Sequence, residues 1–415
     1  DKQDFGTVTY DLDDEGAFLT FPDVWDAQGT MYATYDFLET FCGVRWFNPT
    51  EVGTDVRKRK TLTIEGQGFR RRPFMRYRDC GLPMQLARQY TSTIALWHSK
   101  QEGFKEYEEA AYPNLHETFP RRWHYIKAKR GVCRLFLFRM RVGGEKYKAN
   151  HSFYGFYDRF WEKDPKHPDV FVEKKPEWFA KGYADREQPP QMCYTNEEFT
   201  QQVIEDARHY FNTGELRRRA VAHGDYFALC PMDNSRYCKG DHCQERMNVG
   251  EYYVDNTYFA HGRASDYWFG FVNTIAKAIK KSHPDKYLAT LAYAAYSYYP
   301  KEVKLEPNVA VQLCLSIRHA WNTARQQNDY RFYRQWVTQE QGRPLYLWLY
   351  YCFPTGIARR SEGEWHTFPG FFAHTIDKWY KRFHKDGIKG AYFNGFGQNV
   401  EAWVTFQLCD DPSLD

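Results

Sequence analysis

No run of roughly eighteen apolar residues, the length a membrane-spanning helix needs, occurs in this chain of 415 residues. Charge of one sign is not in excess either. The 57 Lys and Arg against 53 Asp and Glu leave a net charge of +4, and the basic residues are scattered, which argues against a nucleic-acid surface. The densest basic run, Arg217-Arg218-Arg219, is expected in a solvated turn before a strand. GxGxxG, the Walker A motif, HExxH and GxSxG are all missing. With them go the phosphate cradle, the paired zinc-binding histidines and the nucleophile elbow that those spacings build. There is no internal repeat and no low-complexity tract. The ten cysteines do not form a small-protein disulfide framework, and several sit in apolar runs where plain buried thiols are expected. No signal peptide stands at Asp1, so the chain is expected to begin inside a domain, after processing or truncation.

Aromatic residues are abundant: 32 Tyr, 32 Phe and 13 Trp, 19% of the chain. The mean hydropathy of −0.75 shows that these rings are carried on a polar chain. Two readings follow: an aromatic core, or flat surfaces that stack on sugar rings while a polar tip stays wet. One cysteine cluster looks metal-like, Cys238-x4-Cys243 with His242 and Cys230 nearby. Its spacing departs from the CxxC of common zinc sites, so no metal and no cofactor are expected, and a disulfide or free thiols are the alternatives.

Residues 1–69 read as a small α/β accessory domain, partly truncated. A helix is predicted over Gly29–Glu39, with Met31, Tyr35 and Leu38 on one side and Cys42-Gly43 ending it. Val44–Phe47 follows, and Thr61–Glu65 alternates as a short strand. After the linker at Arg70–Pro73, residues 70–415 alternate strand-like and helical runs. The candidate strands are Phe74–Asp79, Val132–Arg139, Gln191–Tyr194, Tyr226–Met232, Tyr287–Tyr293, Val309–Cys314, Leu345–Tyr351 and Gly390–Phe393. Thr195-Asn-Glu-Glu198 reads as a capping box opening a helix. Ser265 precedes a second helix that ends near Pro284, and a third, less regular one runs from Trp365 to Phe383. About eight such units match a TIM-type (β/α)8 barrel, so the fold class is α/β. A doubly wound sheet is the structural alternative.

In a barrel of that kind, chemistry sits at the C-terminal strand ends. The run Asp225–Met232 empties directly into Asp233-Asn234, offering a carboxyl and an amide. Asp79 closes the first strand. Asn150 and His151 lie in the loop after the second. Tyr293 and Tyr296 follow the fifth, Gln312 lies in the sixth, Tyr351 ends the seventh, and Asn394 follows the eighth. Trp365 belongs to an aromatic loop that could stack on a sugar or serve as a lid. Glu401 is expected as a solvated first-turn residue. Asp233 and Asp79 are the candidate catalytic residues. Asn150, His151, Asn234, Tyr293, Tyr296, Tyr351, Trp365 and Asn394 are the candidate substrate-binding ones. Each has a plainer reading: Asp233 as a helix N-cap, Asp79 in an ion pair, His151 as a satisfied structural histidine.

Several segments resemble the bacterial domain-of-unknown-function family 4838, some members of which are endo-β-N-acetylglucosaminidases of glycoside hydrolase family 163. They are Asn150–Tyr157, Pro176–Ala180, Pro190–Asn196, Pro231–Asn234 with Cys238 and Cys243, Ala292-Tyr293 and Asp410–Asp415. Gly29–Glu39 and Gly43–Gly53 look like the accessory domain that precedes many such barrels. The resemblance implies a secreted or periplasmic glycoside hydrolase acting on N-acetylhexosamine-containing glycans. Its reaction would be retaining, with the substrate's own N-acetyl oxygen as nucleophile. It further implies Asp233 as the acid, and Asn234, Asp79 or a Tyr as the acetamide partner. Alternatives are a hydrolase of another sugar class, such as an α-glucuronidase-like enzyme using Arg76, Arg78 or Arg318, or a non-catalytic carbohydrate-binding barrel. A glycan is the expected partner, with no nucleic acid and no membrane span, and the oligomeric state is left open.

Overall fold

The computed structural model describes residues 23–47, 53–66, 68, 70–80, 135–249, 258–317, 323–339, 342–351, 372–395 and 399–414. In chain order its elements are helix α1 (Gly29–Phe41) and strands β1 (Arg45–Trp46), β2 (Thr54–Asp55), β3 (Tyr77–Cys80) and β4 (Gly143–Gly144). Helices α2 (Gly155–Phe160) and α3 (Glu197–Thr213) come next, then strands β5 (Ala222–His223) and β6 (Tyr226–Ala228). Helices α4 (Asp241–Gln244) and α5 (Ser265–Ser282) precede strands β7 (Tyr287–Ala292) and β8 (Val309–Ser316). Helix α6 (Thr323–Gln339), strand β9 (Leu345–Tyr350), helix α7 (Ala373–Lys385), strand β10 (Gly390–Asn394) and helix α8 (Asn399–Asp410) complete the order. They fall into two compact units, the first Asp1–Glu145, Leu349–Lys385 and Gly390–Asp415, the second Lys146–Trp348 and Asp386–Lys389. The fold class is α/β, as the alternation of apolar runs predicts.

In the second unit β7 lies between β6 and β8 and runs parallel to both, with Leu288 facing Phe227 on one side and Val309 on the other. Strand β5 closes one edge antiparallel to β6, and Gln312 Nε2 donates to Leu347 O of β9 at 2.8 Å on the other side. Strands β7 and β8 are buried over nearly their whole length. Covered on both faces, parallel strands read as continuous apolar runs rather than alternating ones, which is why the sequence marks them so plainly. Helix α3 buries Phe199, Val203, Ile204 and Ala207, and α5 buries Phe269, Val272, Ala276 and Ile279. Between them Phe199 stacks on Phe271 at 5.5 Å, and Phe153 meets Phe199 and Trp268 edge-on. The aromatic rings of the described residues are therefore mostly core. Among the described residues only four aromatic rings are exposed, Phe37, Tyr154, Phe259 and Tyr330.

In the first unit β10 runs parallel to β3, with Gly390 opposite Tyr77 and Phe393 opposite Cys80, while β4 pairs antiparallel to β3. Gly144 at φ +95° brings its backbone so close to β3 that a Cβ would stand 2.1 Å from the Arg76 carbonyl oxygen, so only glycine fits there. Helix α1 is held by a buried ionic network: Arg141 pairs with Asp36 and Glu39, and Arg71 pairs with Asp36 and, at 2.7 Å, with Asp410. Buried charges persist only when partnered in this way.

Several expectations are corrected. Residues 135–139 are helical rather than the end of a strand. Short apolar runs are ambiguous between the two states, and tertiary packing chose the helix. Gln191–Tyr194 forms no strand, only an isolated antiparallel bridge from Met192 to Phe179. Thr61–Glu65 is irregular. The cap of α3 is Asn196, whose side chain accepts from Phe199 N at 2.8 Å, not Thr195. Helix α1 buries Asp36 and Glu39, because the ionic network, not an apolar stripe, holds it. Glu401 is fully buried rather than solvated. Trp365 lies outside the described residues, and the third helix is described from Ala373.

Candidate functional site

Asp233 stands five residues beyond the end of β6, and Tyr293 directly follows β7. These two parallel neighbours therefore present both side chains at their C-terminal ends. The third participant comes from elsewhere in the chain. Ser152 N donates to Cys230 O at 3.1 Å, and Cys230 N donates to Ser152 Oγ at 3.0 Å. This exchange lays residues 150–152 alongside 230–231 and carries His151 to Asp233.

The result is a small polar cluster. Tyr293 Oη donates to Asp233 Oδ1 at 3.1 Å. His151 Nε2 lies 3.5 Å from the same oxygen, with the Asp233 side chain 58% exposed and that of His151 18%. Tyr154 Oη accepts from Asp233 N at 3.0 Å. The His151 and Tyr293 rings meet edge-on at 5.9 Å, and Phe259 meets Tyr293 at 5.2 Å. Two of the four exposed aromatic rings among the described residues, Tyr154 and Phe259, thus touch members of this cluster, the Asp233 backbone and the Tyr293 ring. Directly after Tyr293, Ala294 adopts φ +48°, a left-handed conformation that costs a non-glycine residue about 1–3 kcal/mol and clusters at functional sites.

His151 Nδ1 lies against the Pro231 carbonyl oxygen. A carbonyl only accepts, so Nδ1 carries a hydrogen. Nε2 is then the ring nitrogen that faces the Asp233 carboxylate, at 3.5 Å. An imidazole and a carboxyl side by side at a partly exposed surface are groups suited to general acid–base work.

A buried glutamine fixes the loop that carries Asp233. Gln191, 0% exposed, donates from Nε2 to Met232 O at 2.7 Å and to Asn234 O at 2.8 Å. Its Oε1 accepts from Met232 N at 3.2 Å and from Tyr194 Oη at 2.7 Å. Asn234 turns away from the cluster. Its Nδ2 donates to Pro190 O at 2.9 Å, and its Oδ1 accepts from Arg236 N at 3.0 Å. Its amide shapes the loop rather than facing a ligand.

The other predicted residues are distributed as follows. Asn150 Oδ1 accepts from His151 N at 2.8 Å. Tyr296 is fully buried, its ring 5.6 Å from that of Trp268, and burial pushes its hydroxyl far above the ordinary range. In the first unit, Asp79 accepts from Cys80 N at 2.8 Å and from Tyr77 Oη at 3.4 Å. Tyr351 is buried there, its hydroxyl bonded to Tyr380 at 3.0 Å and Thr405 at 2.9 Å. Asn394 is half-buried at the end of β10, its carbonyl accepting from Tyr351 N at 3.0 Å. Clefts of about 440 and 790 Å³ in the first unit, both lined by Arg71, contain none of the predicted site residues. Sequence reasoning missed Tyr154, Phe259 and Gln191. Only the motif stretches around 154 and 191 hinted at the first and last.

The metal-like cluster is also revised. Cys193, Cys238 and Cys243 come together, their sulfur atoms all within 4.8 Å of one another and all three residues buried. His242 points to solvent, 91% exposed, beside Glu245. Cys230 is a solitary buried thiol, pushed up to about 12 by burial. Contacts with the Cys238 and Cys243 thiols hold the Cys193 thiol below its ordinary range.

Among the described residues, no helix is long and apolar enough to cross a membrane. No curated protein matches the sequence. A family model described as "Domain of unknown function (DUF4838)" matches residues 72–415. That match spans most of the chain and covers every residue of the Asp233 cluster, and the protein belongs to this DUF4838 family.

Proposed function

We propose that this protein is a glycoside hydrolase of N-acetylhexosamine-containing glycans, working with the substrate's acetamide as nucleophile, on a (β/α)8-type barrel behind a small accessory domain. The observation that carries the reading is the Asp233 carboxylate held between Tyr293 Oη and His151 Nε2 at the ends of two parallel strands. Asp233 is the acid. Its carboxyl proton passes to the glycosidic oxygen as that oxygen leaves the anomeric carbon. The acetamide oxygen forms the new bond to that carbon from the opposite face. Water then opens the cyclic intermediate and returns a proton to Asp233, so the carboxyl is regenerated. His151 Nε2 and Tyr293 Oη hold the carboxyl in place between these two transfers. Tyr154 and Phe259, beside this carboxyl's loop and its Tyr293 partner, offer exposed rings to the sugar. Such an enzyme meets its glycans outside the cytoplasm, consistent with a secreted or periplasmic bacterial location.

The uronide alternative loses support from Arg78. That side chain is buried, its Nε donating to Arg141 O at 2.6 Å and its Nη1 to Met75 O, so it is committed to main-chain carbonyls. The deciding experiment screens N-acetylglucosaminides, complex N-glycans and uronides with wild-type and Asp233→Asn protein. The expected outcome is turnover of the N-acetylhexosaminides and a loss on the order of 10²–10⁴ in the variant, with its fold intact. Unchanged turnover in the variant would remove Asp233 from the acid role. Release of uronic acid alone would replace the substrate class.

A further inference from the structure

We propose that Cys193, Cys238 and Cys243 bind a zinc-class divalent metal ion as three thiolates, and that this ion clamps the 191–195 segment to the loop carrying Asp233. Cys193 Sγ and Cys243 Sγ are 3.6 Å apart. Thiolates at about 2.3 Å from a tetrahedral zinc ion sit about 3.8 Å from each other, so this spacing is already that of a coordination edge. The third sulfur, that of Cys238, completes one triangular face.

The surroundings are those of thiolates rather than of inert thiols. Lys181 N donates to Cys238 Sγ at 3.3 Å, and Gly240 N makes a second backbone contact to the same sulfur. Thr195 Oγ1 lies 3.0 Å from Cys243 Sγ and 3.4 Å from Cys193 Sγ. The Tyr267 hydroxyl is within hydrogen-bond reach of Cys243. Donors of this kind around sulfur are the second layer that orients metal-bound cysteines and balances their charge. Soft thiolate sets select zinc, cuprous copper or iron–sulfur clusters. A compact face of three sulfurs suits a single ion, with a solvent-derived fourth ligand, because no other His, Cys, Asp or Glu among the described residues joins the group.

Binding displaces whatever protons the three sulfurs still carry, so affinity rises with pH. The consequence is mechanical. Cys193 follows Gln191 by two residues, and Cys238 follows Asp233 by five. The ion and Gln191 therefore act on the same two segments from adjacent points. The inference stands apart from the glycosidase reading, since metal content is measured without a substrate.

The test is elemental analysis of the intact chain, produced in zinc-supplemented medium and passed through chelator-free buffer, followed by replacement with cobalt(II). Wild type and the control Cys42→Ser should each hold about one zinc per chain. Cys193→Ser and Cys238→Ser should hold at least tenfold less. The cobalt form should show intense near-ultraviolet thiolate-to-metal absorption. If the variants fail to fold, the metal content and cobalt spectrum of the wild type decide alone. Wild-type protein with less than about one tenth of an equivalent, whether its three thiols are free or two are joined as a disulfide, would overturn the proposal.

Discussion

Replacing Gln191 with leucine tests whether one buried amide positions the Asp233 loop. The side chain makes four hydrogen bonds, three to the backbone of Met232 and Asn234 and one from Tyr194. Leucine has a similar volume and can answer none of them. Two of the deserted groups keep some compensation. Met232 O still accepts from Asn234 N at 2.6 Å, and the Asn234 carbonyl is only partly buried. The Met232 N–H and the Tyr194 hydroxyl are left without these partners inside the core. Each buried unsatisfied group costs about 1–3 kcal/mol, so the expected loss for the two is about 2–6 kcal/mol, a large part of the 5–15 kcal/mol typical of a domain. Urea unfolding followed by tryptophan fluorescence reads this, together with turnover on the substrate found in the screen. The loop should loosen as well, so kcat should fall more than KM rises. Gln191→Glu sharpens the test, because a carboxylate would face two carbonyl oxygens. That variant should be as unstable at pH 7 and recover towards acid pH, where a protonated carboxyl can donate once. A Gln191→Leu protein that loses less than about 1 kcal/mol and keeps its kcat would refute the reasoning.

Two further outcomes are expected. Tyr293→Phe removes the hydroxyl donated to Asp233 but keeps the ring against Phe259 and His151. Stability should change by no more than about 1 kcal/mol while kcat drops by roughly tenfold or more, and steady-state kinetics with a melting curve would reveal an equal fall in both. Asp410 has its carboxyl held above the ordinary range by burial, against the attraction of Arg141 and Arg71. The folded state then binds a proton that the unfolded chain has released, from an unfolded value of about 4 up to the raised one. Its contribution is full below that window and weakens as pH rises through it. The stability difference between wild type and Asp410→Asn should therefore shrink with rising pH from about 4 upward, and a difference that grows would reverse the sign assigned here.

The cluster at Asp233 also shows why an aromatic-rich composition is a poor guide to ligand surfaces. Rings such as Trp268, Trp336 and Tyr346 are buried outright. The exposed Tyr154 and Phe259 instead touch the Asp233 backbone and the Tyr293 ring. Among the described residues the enrichment reflects mostly a core that packs ring on ring, and which rings reach the surface is visible only once burial is known.

The sequence by itself determined the parallel strands from Tyr226 onward, because a strand covered on both faces must be apolar throughout. The predicted spans at Tyr287, Val309, Leu345 and Gly390 all begin where the strands begin. It also determined that a helix follows Thr195 and that a carboxylate, Asp233, stands just beyond β6. What it left undecided depended on partners distant in the chain. The run at 135–139 was too short for its period to choose between helix and strand. Asp36 and Glu39 turned inward because Arg141, about a hundred residues away, met them there. Asn196 rather than Thr195 capped α3, since both can accept the same N–H and only the entry path of the chain selects one. His151 reached Asp233 through a pairing of Ser152 with Cys230, and Cys193 joined Cys238 and Cys243 across an interval no spacing rule covers. Such meetings are set by the packing of elements against one another, and it is that packing which turned a single promising carboxylate into a candidate site with named partners.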